Sequence, residues 1–160
     1  MEIIKVGMAD LKIGQAPARL LTSGLGSCVG ICLWDFLSKK GGMAHIMLPD
    51  STKARVAGNP AKFADTAVPA LIQLLENHGA CRRRLKAKIA GGAQMFSFGG
   101  EHEIMKVGQR NVEAVKTALA AWDIPLLAED TGGNIGRTIE FDLETGLVHI
   151  RTMAAKNYHI

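Results

Sequence analysis

Cys28 and His45 are the residues whose types and spacing could do chemistry. A Gly-broken turn, Thr22-Ser-Gly-Leu-Gly-Ser-Cys28, delivers a thiol to the mouth of an apolar run, and a second apolar run, Gly42-Met-Ala-His45-Ile-Met-Leu-Pro49, brings back a lone histidine. A free thiol with a pKa near ~8.5 is only about 3% ionised at neutral pH, so nucleophilic use requires a neighbour that takes its proton. An imidazole does this and can return the proton to a leaving group. Gly24 and Gly26 allow a tight bend ahead of the thiol, which would aim the N–H groups of Gly26 and Ser27 at a developing oxyanion. Thr22 supplies a hydroxyl that the same bend could fold back onto the ring of His45. The residue types also suit an inert reading, in which a buried cysteine fills space and a core histidine is satisfied by its surroundings. Spacing alone leaves both readings open.

The elements that must position the pair are two strands. Cys28, Gly30, Cys32 and Trp34 fall on one side of a period-2 strand and Val29, Ile31 and Leu33 on the other, which predicts burial on both faces. Met43 to Leu48 is a second strand, and the polar segment Asp35 to Gly42 connects the two as a hairpin. A tight turn at Phe36 and Leu37 would place Cys28 directly across from His45, and a slip of two residues would make the contact diagonal. Such a pair predicts a pre-activated thiol, with alkylation near neutral pH striking Cys28 before Cys32 or Cys81.

Composition bounds the alternatives. A length of 160 residues with 48% hydrophobic content suits a single domain spanning 1–160 with a packed core. No apolar run approaches the ~18 residues of a membrane span, and the N-terminus lacks a signal-peptide layout, so a cytoplasmic protein without membrane insertion is expected. Three cysteines without framework spacing fit a reducing compartment. Zinc held by Cys28, Cys32 and His45 is disfavoured, because the spacing is unusual for a strand and no acidic or second histidine ligand is near in sequence. The net charge of +4 favours an acidic partner. Nucleic acid is disfavoured by 5% aromatic content and the lack of a recognisable binding motif.

Elsewhere, residues 2 to 20 read as short strands leading into the Thr22 loop. A first helix follows the hairpin, with Asn59 as N-cap, Pro60 at its first position and Phe63, Ala67, Leu71, Leu74 and Leu75 at helical spacing. Pro69 predicts a kink or a two-piece helix, and Gly79 ends it. Arg82, Arg83 and Arg84 form the densest basic cluster, readable as a solvated edge or as a partner-binding patch. Phe96 and Phe98, among glycines, read as core plugs or as a docking surface. A second helix begins near Gly108 to Asn111 and carries Val112, Val115, Leu119 and Trp122 on one face. Gly132-Gly-Asn-Ile-Gly136 lacks the lysine and the order of a phosphate loop. A terminal hairpin turns at Glu144-Thr-Gly146. Strands outnumber helices and come as hairpins, which indicates an α+β fold with mixed, largely antiparallel sheets.

The strings Leu21-Thr-Ser-Gly-Leu-Gly-Ser-Cys28-Val-Gly-Ile-Cys-Leu-Trp-Asp35 and Gly42-Met-Ala-His45-Ile-Met-Leu-Pro49 closely resemble the CheD family, the chemoreceptor glutamine deamidases of bacterial and archaeal chemotaxis. The resemblance continues through Ala87 to Phe96, Val107 to Val112 and Glu129 to Arg137, and so spans nearly the whole chain. It implies a layered α/β/β sandwich, similar to deamidating toxin domains, with the active cysteine at one edge. It implies a protein-glutamine glutaminase that uses no cofactor, in which Cys28, His45 and Thr22 take the catalytic positions. Methyl-accepting chemoreceptors are the implied substrate, and a CheC-type phosphatase is an implied partner of the expected monomer. A binding module of the chemotaxis array and esterase action on glutamyl methyl esters are the rival and the side activity that the same residues would permit.

Overall fold

A computed structural model describes residues 1–54, 58–95 and 106–160. The strands in chain order are β1 (Ile3–Lys5), β2 (Leu11–Gln15), β3 (Arg19–Leu25), β4 (Val29–Asp35) and β5 (Lys40–Ile46). Then follow α1 (Ala64–Asn77), β6 (Leu85–Gly91), α2 (Val107–Ala121), β7 (Leu126–Thr131), β8 (Arg137–Asp142), β9 (Val148–Thr152) and β10 (Asn157–His159). Two five-stranded sheets result, one ordered β1-β3-β8-β9-β10 and the other β2-β5-β4-β6-β7. Each holds one parallel pair, β1 with β3 and β6 with β7, and is otherwise antiparallel.

The alternation along β4 explains the layering. Val29, Ile31 and Leu33 join Ala44 and Ile46 of β5 in a core with α1 and α2, whereas Cys28, Cys32 and Met43 face Leu20, Leu25, Ile139 and Phe141 of the opposite sheet. One sheet is therefore apolar on both faces, and it forms the middle layer of an α/β/β sandwich. Gly30 is the inward position opposite His45, and a Cβ there would come within 2.7 Å of the Ile139 side chain. The two sheets approach closely at that point, next to the site.

Three local expectations are corrected. The β4–β5 hairpin closes at Asp35 with Lys40 rather than at a two-residue turn, because Asp35 accepts the N–H groups of Leu37 and Ser38 through its side chain and that of Lys39 through its carbonyl. His45 consequently faces Gly30, so that Cys28 is its diagonal neighbour. The first helix breaks at Phe63, not at Pro69. Asn59 caps a short 3-10 turn at Pro60–Lys62, extended Phe63 separates it from α1, and Pro69 sits inside α1. Ile72 rather than Leu74 is fully buried on that helix. Finally, Thr22 lies within β3 and not in the loop after it.

Candidate active site

Thr22 reaches His45 from across the sandwich. It belongs to the outer sheet and His45 to the middle one, and its Oγ1 stands 2.7 Å from Nδ1 of the ring. Oγ1 also donates to the Val6 carbonyl at 2.7 Å. A hydroxyl has one proton to give, so with that proton on Val6 it accepts from His45, and Nδ1 is the protonated nitrogen of the neutral ring. Nε2 is then an unprotonated acceptor. It is buried and has no hydrogen-bond partner among the described residues. An uncommitted basic nitrogen in a buried site is an unusual expense for a fold and an asset for proton transfer.

Cys28 stands just before β4, where the chain crosses from the outer sheet to the middle one. The last pair of the β4–β5 ladder is Val29 with Ile46, and Cys28 follows on the inward face. Diagonal neighbours in such a ladder have Cα atoms about 7–8 Å apart, a gap that a thiol and an imidazole leaning together can close. The crossing is held by its neighbours: the Cys28 carbonyl accepts Gly92 N–H at 2.9 Å and the Gly26 carbonyl accepts Ala93 N–H at 2.8 Å. This contact demands glycine. A Cβ on Gly91 would fall 2.2 Å from the Cys28 oxygen, and its φ of +115° suits no other residue.

Within the crossing, the Gly26 N–H donates to Gly24 O at 3.0 Å and is thereby engaged in the turn. Of the two loop residues expected to serve an oxyanion, Ser27 remains a candidate, and Cys28 joins it through its own N–H. Asn111, which sequence reasoning placed only at the start of a helix, also belongs here. It is fully buried, and its Nδ2 donates to Ser27 O at 2.9 Å and Met47 O at 3.0 Å. A polar side chain on the apolar face that carries Val112, Val115 and Leu119 was the available signal.

Burial sets the resting protonation. It pushes the Cys28 thiol above the usual range, an effect its own backbone N–H partly offsets, and it lowers His45 below an ordinary imidazole. Thiol and ring are therefore both neutral at rest, and Cys28 is only 7% exposed. Burial thus works against a thiolate at Cys28, and the expected preference for alkylation there over Cys81 rests on His45. Cys32, on the same face, is fully enclosed and pushed further up by burial.

The basic cluster is largely committed to the fold. Arg84 makes a two-pronged contact with Asp35 at 2.8 and 2.9 Å, and Arg82 pairs with Glu76 at 2.8 Å and lies over the Trp122 ring. Arg83 is exposed. Phe96 and Phe98 lie outside the described residues. Among the described residues, no group of three or more His, Cys, Asp or Glu side chains is arranged to hold a metal ion, and no helix is long and apolar enough to cross a membrane.

Residues 47–152 match the family model described as "CheD chemotactic sensory transduction". The chain is 57% identical over 152 residues to a "Probable chemoreceptor glutamine deamidase CheD" of Syntrophomonas wolfei, covering 95% of this chain and 94% of that one. A protein with the same description from Clostridium novyi is 53% identical over 150 residues, covering 94% and 93%. The two alignments leave out eight and ten of the 160 residues, and the family model starts two residues after His45. On these matches the chain belongs to the CheD family.

Proposed function

We propose that this protein deamidates glutamine side chains of chemoreceptors, with Cys28 as nucleophile, His45 as general base and acid, and Thr22 as the group that fixes the ring. The relatives' descriptions support the substrate class. The observation that carries the site is the Thr22 hydroxyl, which spends its proton on Val6 and so leaves His45 Nε2 as an uncommitted base on the strand paired with that of Cys28.

The reaction runs in two balanced halves. Cys28 Sγ bonds to the carboxamide carbon as its proton passes to Nε2, and the carbonyl oxygen gains the negative charge, held by the N–H groups of Cys28 and Ser27. Collapse of this adduct breaks the C–N bond, Nε2–H protonates the departing nitrogen, and ammonia and a thioester result. Water then gives a proton to Nε2 and attacks the thioester carbon, and the thiol leaves with that proton. Glutamine and water have become glutamate and ammonia. Because thiol and ring are both neutral at rest, the first proton transfer belongs to the bond-forming step rather than preceding it.

Mass spectrometry of chemoreceptor fragments after incubation tests the reading. The wild-type protein replaces amide nitrogen by oxygen at particular glutamines, with equimolar ammonia, while a folded Cys28→Ala protein leaves every glutamine intact. Conversion by Cys28→Ala would refute the mechanism, and binding without conversion by the wild type would favour an array-binding role instead.

A further inference from the structure

We infer that Asn111 is a positioning residue for the reaction: its side-chain amide locks the Ser27–Cys28 peptide so that the Cys28 N–H faces the oxyanion. The inference rests on the deamidase reading of Cys28. In a trans peptide the carbonyl of one residue and the N–H of the next point in opposite directions in one plane. A donor that fixes the Ser27 oxygen therefore fixes the direction of the Cys28 N–H. Asn111 Nδ2 is that donor, at 2.9 Å.

Its second proton goes to Met47 O at 3.0 Å, two residues beyond His45. The β4–β5 ladder stops at Val29 and Ile46, so Asn111 supplies the next rung and ties the strand of the nucleophile to the strand of the base. Both partners are carbonyls, which establishes that nitrogen and not oxygen faces them. Placement follows from sequence. Gly108 packs against the 92–93 turn so closely that a Cβ would lie 2.4 Å from Ala93 O, and Asn111, three residues on along α2, points into the gap this approach creates.

A purely structural bridge would be expected to satisfy the whole amide. Here Oδ1 is buried with no hydrogen-bond partner among the described residues. The chain keeps an unpaired acceptor in order to place two donors, and these two donors hold the nucleophile and base segments. Removal of Asn111 should leave the thiol in place and loosen the oxyanion donor, so catalysis should suffer far more than simple thiol reactivity.

The test compares the wild-type and Asn111→Ala proteins in two reactions, deamidation of a chemoreceptor fragment, followed by ammonia release, and alkylation of Cys28 by iodoacetamide, which develops no oxyanion. The expected result is a kcat lower by about 10²-fold with KM little changed, while the alkylation rate per folded molecule stays within about threefold. A folded Asn111→Ala protein with kcat within about threefold of wild type would overturn the inference, as would alkylation falling in parallel with kcat. Should Asn111→Ala fail to fold, Asn111→Ser, which removes the amide and cannot donate to both carbonyls, takes its place with the same expected and overturning results. Absence of ammonia from the wild type, or its release by Cys28→Ala, would overturn the deamidase reading itself; an active wild type with an equally active Asn111 variant overturns only the role of Asn111.

Discussion

The two ends of β4 treat buried polar groups in opposite ways. At one end the Asp35 carboxylate, fully buried, accepts from Leu37 N, Ser38 N, Cys81 N and both arms of the Arg84 guanidinium. Burial alone would raise its pKa, yet the bonds from Arg84, Cys81 and Ser38 prevail and hold it well below the ordinary carboxylate range. At the other end His45 Nε2 and Asn111 Oδ1 are buried without hydrogen-bond partners among the described residues. The saturated end closes the hairpin and anchors the segment before β6. The unsaturated end retains a base. A vacancy alone does not mark chemistry, since Arg19 Nε and Ser38 Oγ are also buried without hydrogen-bond partners among the described residues; at the His45 end it falls on a titratable base.

Substitutions at the two ends should differ in activity per folded molecule rather than in stability. His45→Ala is expected to lower kcat per folded molecule by about 10³-fold, while the cavity it leaves and the lost Nδ1 bond to Thr22 lower the stability in urea titration as an ordinary core truncation does, by about 2–3 kcal/mol. A kcat per folded molecule near wild type would move His45 into the class of Asp35. Asp35→Ala should also cost about 3 kcal/mol of unfolding free energy, by stripping a buried ion pair of its anion, but its kcat per folded molecule should stay near wild type. Full stability of that variant in urea titration would show that the bonds around Asp35 merely compensate its desolvation.

The smallest expected effect concerns Thr22. Thr22→Val should lower kcat about tenfold, since the ring keeps its base but loses its orientation. The pH profile gives an independent readout. Burial lowers His45, so the acid limb of kcat/KM in the wild type lies below the ordinary imidazole value of ~6.5. Thr22→Val removes an acceptor from Nδ1–H and should displace that limb to still lower pH. Stability carries the matching sign: the contribution of neutral His45 is complete above ~6.5 and is lost as pH falls from there through the lowered value. An unmoved limb in Thr22→Val would mean the 2.7 Å contact does not govern the ring.

What the sequence disclosed divides along the range of the interaction. The two-faced burial of β4 was legible, because period-2 alternation of Val29, Ile31 and Leu33 against Cys28, Cys32 and Trp34 is a local property. The fold class was legible in strands that outnumber helices and come as hairpins, and the layering in the family resemblance. The register was off by two residues because a side chain, Asp35, shapes the turn. Thr22 was named for the wrong reason: its hydroxyl arrives from the facing sheet, which no turn geometry could reveal. Asn111 escaped because asparagine at a helix start ordinarily caps the helix, and its carbonyl partners lie 84 and 64 positions away in the chain.

The Thr22–His45 bond has a consequence for how this molecule tolerates change. His45 and Thr22 sit on different slabs, so under the proposed mechanism turnover would register the gap between them much as an interferometer registers the spacing of its plates. Leu25, Met43 and Ile139 fill that gap. Exchanges among them that leave the chain folded would still detune the ring, and selection on receptor modification would police the width of this interior more strictly than the demand for a folded chain does.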